Sequence, residues 1–594
     1  MKASERLAAL KRTMKKRGVR LMIVPVSDPH LNEYVLPNWR VLEALSGFTG
    51  SAGMLIVDAE EGAESALITD SRYWEQAEKE LSEGSVLIRQ ERSYLDHVAE
   101  WCGDKRGVLA YMPELMSLSQ AEKLEGFAAD GCLEGVRPLS TEDELPLSEF
   151  WPDRPEADLH AIRLMPRPGR SAEEKLEAVR AAMREENAEC VLLSCLDDIA
   201  WMTNLRSRDI PCNPVFCSTF IVTMDRAVLL VERSRLDEAA QSALSGLGIE
   251  VRDPAELAQT IESCCAGKRV MLDPDRTNSR IARWIPPECQ VRGMTPAFKL
   301  KSMKSPGELA CIEEAHLRDA VALAEFYAEL DERLAAGEPL TESDAVDMLY
   351  AWRSKDPAFI ESSFDTIAAY GPNAAMPHYT PPQKGGAELL PGNLLLIDSG
   401  GQYDCGTTDI TRMTAVGDVS DEMRSDVVLA TRGMLRLLNL KFPAGATGVQ
   451  VDAAARMEMW SVGIDFGHGT GHGVGYCLNV HEGPVSISPR AKPLPIEVGN
   501  VLSNEPGIYR SGRWGVRVEN LMVCEAWQTT EFGEFLGFRG LTMLPIDVRI
   551  FKGHFGKDVE LLNAFNTERR EKLMPLVSER ARKWLEAAAA PLPH

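Results

Sequence analysis

The chain has 594 residues, 44% of them hydrophobic and 26% charged, which excludes bulk disorder and predicts several globular domains with sizeable cores. Its formal net charge of −24 argues against nucleic acid as a partner, because phosphate binding requires concentrated lysine and arginine. No run reaches the ~18 consecutive apolar residues of a membrane span, and the basic N-terminus has no unbroken apolar run, so neither a membrane segment nor a secretory signal is expected.

The first 300 residues predict two similar α/β domains in tandem, at 1–150 and 151–300. In each, a helix leads into an apolar strand and then into a hairpin, because short runs rich in leucine, isoleucine and valine alternate with turn residues. A proline-rich stretch at 145–155 is the predicted linker. The predicted helix, strand and hairpin segments are 5–16, 21–26 and 54–68 in the first domain, and 171–186, 190–193 and 220–231 in the second.

A third domain is predicted at 301–540. It opens on Ser305-Pro306-Gly307-Glu308, in which serine caps a helix, proline takes the first helical position and glutamate reaches back to the cap. Two helices then precede a set of strands, and further helices at about 421–438 and 448–461 precede another set. We therefore expect two helix–helix–sheet halves related by an internal pseudo-two-fold axis.

The last segment, 541–594, is predicted to be an extension that packs on the third domain or on a second subunit. One helix is expected from Thr567 to about Ala588, kinked at Pro575 because proline has no N–H to donate. The predicted inner face of this helix consists of Leu573, Leu576, Val577, Trp584 and Leu585.

A glycine-rich stretch at 467–475 organises the third domain. Three of the chain's ten histidines, at positions 468, 472 and 481, fall within fourteen positions here. Glycine lets the backbone come close to a ligand, and imidazole is a common metal ligand and acid–base group. One histidine beside one glycine would be typical of a flexible connector, but three indicate a site.

Each half of the third domain also carries two acidic residues on apolar strands. Asp398 closes the strand that begins at Leu394, and Asp409 is expected to begin the return strand. A turn midway between Tyr403 and Asp404 would place the two aspartates opposite each other, with Cα atoms about 5 Å apart.

Glu505 and Glu519 repeat this arrangement around a turn centred on Gly512. Any one of these acids would be typical of a solvated hairpin edge, but the symmetry of the two hairpins favours a shared site. Buried carboxylates need a counter-charge, and divalent metal is the simplest one. Oxygen-rich ligation with a single imidazole suits Mn²⁺ or Zn²⁺, with Co²⁺ also possible.

In this order, five residues resemble the ligands of the pita-bread metallopeptidases: Asp398, Asp409, His472, Glu505 and Glu519. Within that family, three runs are similar to those of the long, three-domain cytosolic Xaa-Pro aminopeptidases: 468–475 (HGTGHGVG), 479–484 (NVHEGP) and 398–403 (DSGGQY). The resemblance covers nearly the whole chain. It implies two creatinase-like domains, a pita-bread catalytic domain at 301–540 and a C-terminal extension.

The resemblance also implies roles for the five ligands. Asp398 would bind one ion, His472 and Glu505 the other, and Asp409 and Glu519 would bridge both. The cofactor is expected to be two divalent ions, with Mn²⁺ preferred over Zn²⁺ or Co²⁺. A hydroxide shared by the ions would attack the carbonyl before proline, and Glu505 would pass a proton to the leaving nitrogen.

Further residues are assigned to the substrate by the same resemblance. His468 and His481 would orient it and stabilise the charge that develops on the carbonyl oxygen. His378 would join them, although a histidine between proline and tyrosine is otherwise typical of a satisfied surface residue. Arg517 shares a strand face with Glu519 and can pair with a ligand carboxylate or the substrate, a structural ion pair being the plainer interpretation.

The expected activity is release of the N-terminal residue from Xaa-Pro peptides, since proline lacks the N–H that ordinary aminopeptidases grip. A prolidase-type dipeptidase is the near alternative, and a non-catalytic binding protein of the same fold is a weaker one. A nucleotide-phosphate cradle is disfavoured because no Gly-Lys-Ser/Thr follows the glycine run.

The expected partners are peptide substrates and, from the resemblance and the apolar C-terminal extension, a second copy of the chain. Neither nucleic acid nor a membrane is expected. Thirteen cysteines without paired CxxC motifs predict free thiols, which indicates a reducing cytoplasm.

Overall fold

A computed structural model of the protein describes residues 1–103, 105–129, 133–553 and 555–593. The chain forms two compact units. The first comprises residues 1–165 and 171–298, and the second comprises 166–170 and 299–594. No helix in the described ranges combines the length and apolarity needed to cross a bilayer, and all cysteines that the structure describes are free thiols.

The first unit contains two six-stranded sheets with the same strand order. The first sheet consists of β1 (Leu21–Pro25), β2 (Met54–Asp58), β3 (Ser65–Thr69), β4 (Ser85–Arg89), β5 (Val108–Tyr111) and β6 (Gly135–Pro138). Around it lie α1 (Ala3–Lys16), α2 (Val41–Ser46), α3 (Trp74–Glu80), α4 (Tyr94–Cys102) and α5 (Leu118–Ala129).

The next part of the unit repeats this pattern. Its strands are β7 (Arg163–Leu164), β8 (Cys190–Leu193), β9 (Leu205–Arg206), β10 (Thr219–Thr223), β11 (Ala227–Leu230), β12 (Ile249–Arg252), β13 (Val270–Leu272) and β14 (Gln290–Arg292). Its helices are α6 (Ala172–Glu185), α7 (Leu196–Thr203), α8 (Glu238–Gly246), α9 (Leu257–Cys265) and α10 (Ser279–Ala282), followed by α11 (Pro296–Ser302).

The two sheets share one topology. The orders are β4-β3-β2-β1-β5-β6 and β12-β11-β10-β8-β13-β14. In each, the central strand pairs antiparallel with a hairpin on one side and parallel with a strand on the other. The strands β1, β2, β3, β8, β10 and β11 are buried along their whole length, as expected for a sheet covered on both faces. The predicted tandem repeat is confirmed.

In the second unit, each half begins with a helix and contains two helices before most of its strands, as predicted, but in the second half the short strand β21 lies between the two helices. The first half contains α12 (Pro306–Ala335), α13 (Glu342–Arg353), β15 (Phe359–Ser362), β16 (Ile367–Tyr370), β17 (Asn393–Ser399), β18 (Gly401–Tyr403), β19 (Gly406–Thr407) and β20 (Ile410–Val416). The second contains α14 (Asp421–Leu438), β21 (Lys441–Pro443), α15 (Gly448–Trp460), β22 (Gly471–Gly473), β23 (Glu482–Ile487), β24 (Val501–Asn504), β25 (Gly507–Arg510), β26 (Trp514–Arg517), β27 (Asn520–Thr530) and β28 (Gly533–Gly540).

Capping explains where the first of these helices begins. The Ser305 hydroxyl accepts from the Glu308 N–H, the Glu308 carboxylate accepts from the Ser305 N–H, and Pro306 is the first helical residue. Thr341 and Asp344 form the same capping box at the start of α13.

The C-terminal segment departs from the prediction. The expected single kinked helix is two helices, α16 (Val559–Leu573) and α17 (Glu579–Ala588). Pro575 cannot continue the hydrogen-bond pattern, and the Ser578 hydroxyl caps a new helix by accepting from the Ala581 N–H. Trp584 stacks on Tyr327 of α12, with 5.6 Å between ring centroids, so the extension packs on the third domain.

Four of the five side chains predicted for the inner face of this segment are buried, and Leu576 is the exception at 50% exposed. It follows Pro575 in the break between the helices, where the helical periodicity on which the prediction depended no longer applies.

Candidate active site

The first carboxylate pair lies at the end of β17. This strand pairs antiparallel with β20, and Asp398 lies opposite Thr411, so the predicted pairing with Asp409 is wrong by two residues. The turn is formed by Asp404 and Cys405, one residue later than expected. Because strand side chains repeat with a period of two, this shift leaves Asp409 on the same face as Asp398.

Side-chain contacts explain the observed turn. Gln402 faces Thr407 across β18 and β19, and the threonine hydroxyl donates to the glutamine Oε1 over 2.8 Å. Beside them the two backbone segments of the hairpin come very close. A Cβ on Gly400 would lie 2.0 Å from the carbonyl oxygen of Thr408. Glycine at 400 is therefore required by packing, where any side chain would collide with backbone.

The second hairpin matches its prediction. Gly507 pairs with Arg517 and Arg510 pairs with Trp514, which centres the turn on Gly512. The strands β24 and β27 pair in the same register, as far as Asn504 opposite Asn520. A short gap without strand pairing separates them from β25 and β26. Glu505 and Glu519 both lie in that gap.

The backbone N–H groups of these two glutamates point away from each other. Glu505 donates to the Thr470 carbonyl over 2.8 Å, and Glu519 donates to the Thr411 carbonyl over 3.2 Å. The Thr411 hydroxyl in turn donates to Glu519 Oε2 over 2.7 Å. Thr411 therefore ties the second carboxylate pair to the hairpin that carries the first.

The glycine-histidine stretch contributes the short strand β22, between β23 and β24. A Cβ on Gly471 would lie 2.0 Å from the Ser503 carbonyl oxygen, and one on Gly473 would lie 2.2 Å from the Glu482 carbonyl oxygen. Only glycines allow the neighbouring strands to approach this closely. The strand holds His472 between its two neighbours.

One imidazole and several carboxylates converge at this point. His472 Nε2 lies 3.5 Å from Asp409 Oδ2 and 3.5 Å from Glu505 Oε1. Ligand atoms of Asp409, His472 and Glu519 all lie within 4.8 Å of one another. The His472 Nδ1–H donates to the Gly473 carbonyl over 2.9 Å, which turns Nε2 toward the carboxylates.

The crowding of these acids perturbs their protonation. Burial raises the pKa of Asp398, Glu505 and Glu519, and the charge of Asp409 raises each of the three further. Burial alone would lower the pKa of His472, but its hydrogen bond with Asp409 and the charge of Glu505 raise it to about 9. The cluster has an excess of negative charge that a cation would relieve.

The donor set fits two divalent ions. Asp398 Oδ1 is buried and has no hydrogen-bond partner among the residues that the structure describes. Carboxylate oxygens with one imidazole nitrogen are donors that Mn²⁺, Zn²⁺ and Co²⁺ accept. A buried carboxylate oxygen without a hydrogen-bond partner, beside acids with raised pKa values, is typical of a metal site that contains no ions.

Arg517 is buried within the same cluster. Its Nη2 donates to Asp398 Oδ2 over 2.5 Å, and its Nε donates to the Thr411 hydroxyl over 3.2 Å. Its Nη1 donates to the Tyr509 hydroxyl over 2.8 Å. The arginine thus pairs with one of the predicted ligand carboxylates and fixes its orientation.

Two of the three histidines predicted to contact substrate lie beside this cluster. His468 Nε2 lies 2.8 Å from the Tyr509 hydroxyl. The ring of His481 packs edge-on against that of His472, with 4.3 Å between centroids. His378 follows Pro377, whose carbonyl accepts from Arg517 Nη2 over 3.2 Å. Contacts with one another or through Thr411 and Tyr509 therefore link eight of the nine residues singled out from the sequence, and the backbone next to His378 reaches the same place.

Two hydroxyls of the site were not predicted. Thr411 lies two residues after Asp409, and Tyr509 lies four residues after Glu505, which are the spacings that a strand read without interruption would place on one face. This periodicity was the signal that could have found them.

A buried ion triad behind the site was also missed. Lys301 Nζ donates to Glu482 Oε2 over 2.9 Å, Lys304 Nζ donates to Glu482 Oε1, and all three side chains are 1% exposed. Glu482 follows His481 and pairs in register with Gly473. The lysines lie 181 and 178 positions from the glutamate, and no local pattern connects them.

Comparison with known proteins identifies three matching regions. A model of metallopeptidase family M24 matches residues 310–526, and models of the creatinase/prolidase N-terminal domain match residues 6–137 and 153–308. A probable Xaa-Pro aminopeptidase P from Metarhizium robertsii is 35% identical over 599 residues, covering 95% of each chain. Aminopeptidase P2 of Arabidopsis thaliana is 34% identical over 99% of this chain and 88% of that protein.

Solved structures resemble the chain to different extents. An X-prolyl aminopeptidase from Caenorhabditis elegans, described as a cytosolic enzyme with a di-nuclear active site, superposes with a TM-score of 0.92 at 28% identity over 100% of both chains. A Xaa-Pro dipeptidase from Bacillus anthracis gives a TM-score of 0.50 at 25% identity, covering 64% of this chain and 99% of its own. The longer architecture is therefore shared with the first of these proteins.

Proposed function

Because the chain belongs to metallopeptidase family M24, among the long Xaa-Pro aminopeptidases with two creatinase-like N-terminal domains, we propose that it removes the N-terminal residue from peptides with proline in second position. The observation that carries this proposal is the grouping of the Asp409, Glu505 and Glu519 carboxylates around the His472 imidazole, with residues in the order that the family resemblance implies. His472 Nε2 lies 3.5 Å from carboxylate oxygens of both Asp409 and Glu505.

Two divalent ions would be held by this set, and we propose Mn²⁺. Asp398 would bind one ion, His472 and Glu505 the other, and Asp409 and Glu519 both. When bound, the ions supply an acidified water and polarise the scissile carbonyl.

The protein's own groups account for orientation and proton transfer. In the hydrolysis, a water oxygen bonds to the carbonyl carbon, the carbon–nitrogen bond breaks, and a proton moves to the prolyl nitrogen. Glu505 is the proposed carrier of that proton, and the Ser503 hydroxyl, which donates to Glu505 Oε1 over 3.1 Å, holds the carboxylate in place.

Arg517 holds Asp398 and prevents that carboxylate from rotating away from the cluster. His468, His481 and His378 would bind the peptide around the reacting carbonyl and stabilise the negative charge on its oxygen. The Tyr509 hydroxyl contacts both His468 and Arg517, so these three side chains form one hydrogen-bonded set.

The test compares peptides that differ only in length or in the second residue. After loading with Mn²⁺, the protein is expected to release the first residue from a Xaa-Pro-Xaa tripeptide and to act poorly on the matched Xaa-Ala-Xaa peptide. Cleavage of the Xaa-Pro dipeptide alone would identify a prolidase-type enzyme instead. No cleavage of any Xaa-Pro peptide would favour a non-catalytic binding protein.

We also propose that the protein acts in the cytoplasm as a homodimer. The cytosolic description of the Caenorhabditis elegans enzyme supports the first part. Thiols that are all free in the described residues are consistent with a reducing compartment. Sedimentation that finds only the 65.6 kDa single chain would contradict the dimer.

A further inference from the structure

The segment that carries His378 has little regular structure of its own. It connects β16 to β17 across residues 371–392, with a single short 3-10 helix at Gly371–Ala375. A connection of this length keeps a side chain in one place only when other parts of the fold hold it. The contacts that hold this segment come from two sides.

On one side lies the buried carboxylate of Glu342, at the first position of α13. Its Oε1 accepts from the Tyr370 N–H over 2.7 Å and from Asn373 Nδ2 over 2.9 Å. Its Oε2 accepts from the Tyr379 hydroxyl over 2.7 Å and from the Ala387 N–H over 2.9 Å. These four donors lie before, beside and after His378 in the sequence.

The hydrogen-bond pattern is that of a carboxylate held by neutral donors. Each oxygen accepts two hydrogen bonds, which uses the acceptor capacity of an ionised carboxylate. In the part of the chain that the structure describes, no lysine, arginine or histidine pairs with Glu342. Its counter-charge is the N-terminus of the 12-residue helix α13.

The fit around this carboxylate leaves no spare room. A Cβ on Gly386 would lie 2.7 Å from Glu342 Oε2, and the backbone at Gly386 has a φ of +83°. Burial and the hydrogen bond to Glu342 raise the pKa of the Tyr379 hydroxyl, so it remains a donor. Residues before and after His378 in the sequence are thus hydrogen-bonded to the same buried carboxylate, that of Glu342.

On the other side, the segment rests on the strand that carries Arg517. A Cβ on Gly515 would lie 1.7 Å from the Ala374 carbonyl oxygen, so the 3-10 helix packs directly on the backbone of β26. The Pro377 carbonyl accepts from Arg517. The backbone at His378 is therefore held between Glu342, through Tyr379, and Arg517 of the ligand cluster, through Pro377.

We propose that Glu342 is a positioning residue that fixes His378 against the substrate by gathering four donors of the surrounding segment onto one buried carboxylate. The inference rests on the proposed function, because it assumes that His378 contacts the peptide. Glu342 itself contacts neither the predicted ligands nor the substrate, and it acts through the segment.

The test uses Glu342→Gln in the metal-loaded protein. The amide keeps the size of the side chain, but its NH₂ group is a donor. It replaces a carboxylate oxygen that accepts two hydrogen bonds, so two donors of the segment would then face a donor. A loosened His378 should lower kcat/KM for a Xaa-Pro-Xaa peptide by ~10- to 100-fold, since a displacement of about 1 Å at a positioned group costs up to that much. The content of bound metal should not change.

Asp344→Asn is the matched control. It removes one charge from the same turn of α13, but among the residues that the structure describes Asp344 accepts only from the N–H and hydroxyl of Thr341 in its own cap. Its effect on kcat/KM should stay below about 2-fold, because only a helix cap is weakened. An equal loss in both variants would overturn the proposal in favour of general destabilisation.

A double-mutant cycle with His378→Ala separates positioning from structure. His378→Ala alone should lower kcat/KM by ~100-fold, as expected for loss of a group that stabilises the oxyanion. In that background, Glu342→Gln should have little further effect, because the residue it positions is gone. Independent, multiplying effects would overturn the inference while leaving the peptidase activity intact.

Two further outcomes have separate meanings. If His378→Ala cleaves as fast as wild type, His378 has no substrate role and the inference falls, although the Xaa-Pro activity stands. If wild type does not cleave Xaa-Pro peptides, the proposed function falls first.

Tyr379→Phe is the replacement variant if Glu342→Gln fails to fold. It removes one of the four hydrogen bonds to Glu342 and enters the same double-mutant cycle, in which the same outcomes support or overturn the inference.

Discussion

The buried triad of Lys301, Lys304 and Glu482 leads to an asymmetric prediction about stability. The wild-type triad places two ammonium groups on one carboxylate, and all three side chains are 1% exposed. Glu482→Gln would remove the anion that both buried ammonium groups contact. Lys304→Met would leave one buried lysine paired with one buried glutamate.

The magnitudes follow from this charge balance. Removing the common partner of a buried pair costs about 3–5 kcal/mol, because the remaining charge is left without compensation. Removing the second lysine should cost only about 1 kcal/mol, the value of one hydrogen bond, since methionine fills similar space. Burial lowers the pKa of Lys304, which shows that its charged form is already disfavoured at this site.

Differential scanning calorimetry measures both variants in the full chain. For the transition of the second unit, Glu482→Gln should lower the midpoint by about 6–20 °C and Lys304→Met by about 2–4 °C, taking 2–4 °C per kcal/mol for a large domain. Equal shifts in the two variants would refute the reasoning, because they would show that the packing of the side chains matters and their charge balance does not.

The remaining predictions concern the ligands. Asp409→Ala and Glu519→Ala should each abolish peptide cleavage, since each carboxylate is proposed to hold both ions, and turnover above a few per cent of wild type would contradict this. Metal binding should release protons at pH 7, because the pKa of His472 is raised to about 9 and protonated imidazole cannot bind metal. Apparent metal affinity should therefore rise with pH until about 9. Calorimetry in two buffers of different ionisation enthalpy measures the released protons, and none at pH 7 would contradict it.

Local pattern predicted much of this protein. The family resemblance and the tandem fold are confirmed by relatives and by the shared sheet order. The second hairpin was placed correctly because Gly512 marks its turn and the flanking strands are regular. The strand pairing of the first was misplaced by two residues, since no glycine lies at the centre of its turn as Gly512 does in the second, and long-range contacts of Gln402 and Thr407 decide its position.

What sequence reasoning did not reach depends on distant parts of the chain. The lysines of the triad and the four donors around Glu342 meet their partners only after the fold has formed. A buried glutamate at the start of a helix looks in sequence like an ordinary first-turn acid, which is favourable there in any case. The break at Pro575 was visible, but whether a proline kinks or ends a helix depends on whether a new cap, here Ser578, follows it.

The two strand pairs that flank Glu505 and Glu519 make the second hairpin tolerant of changes in the length of its turn. The strands β24 and β27 fix the register on one side of the gap, and β25 and β26 fix the same register on the other. A change in loop length at the exposed tip around Gly512 would have to break both ladders before either glutamate moved. The tip is therefore a place where evolution or a protein engineer can insert residues while the distance between the two carboxylates stays the same.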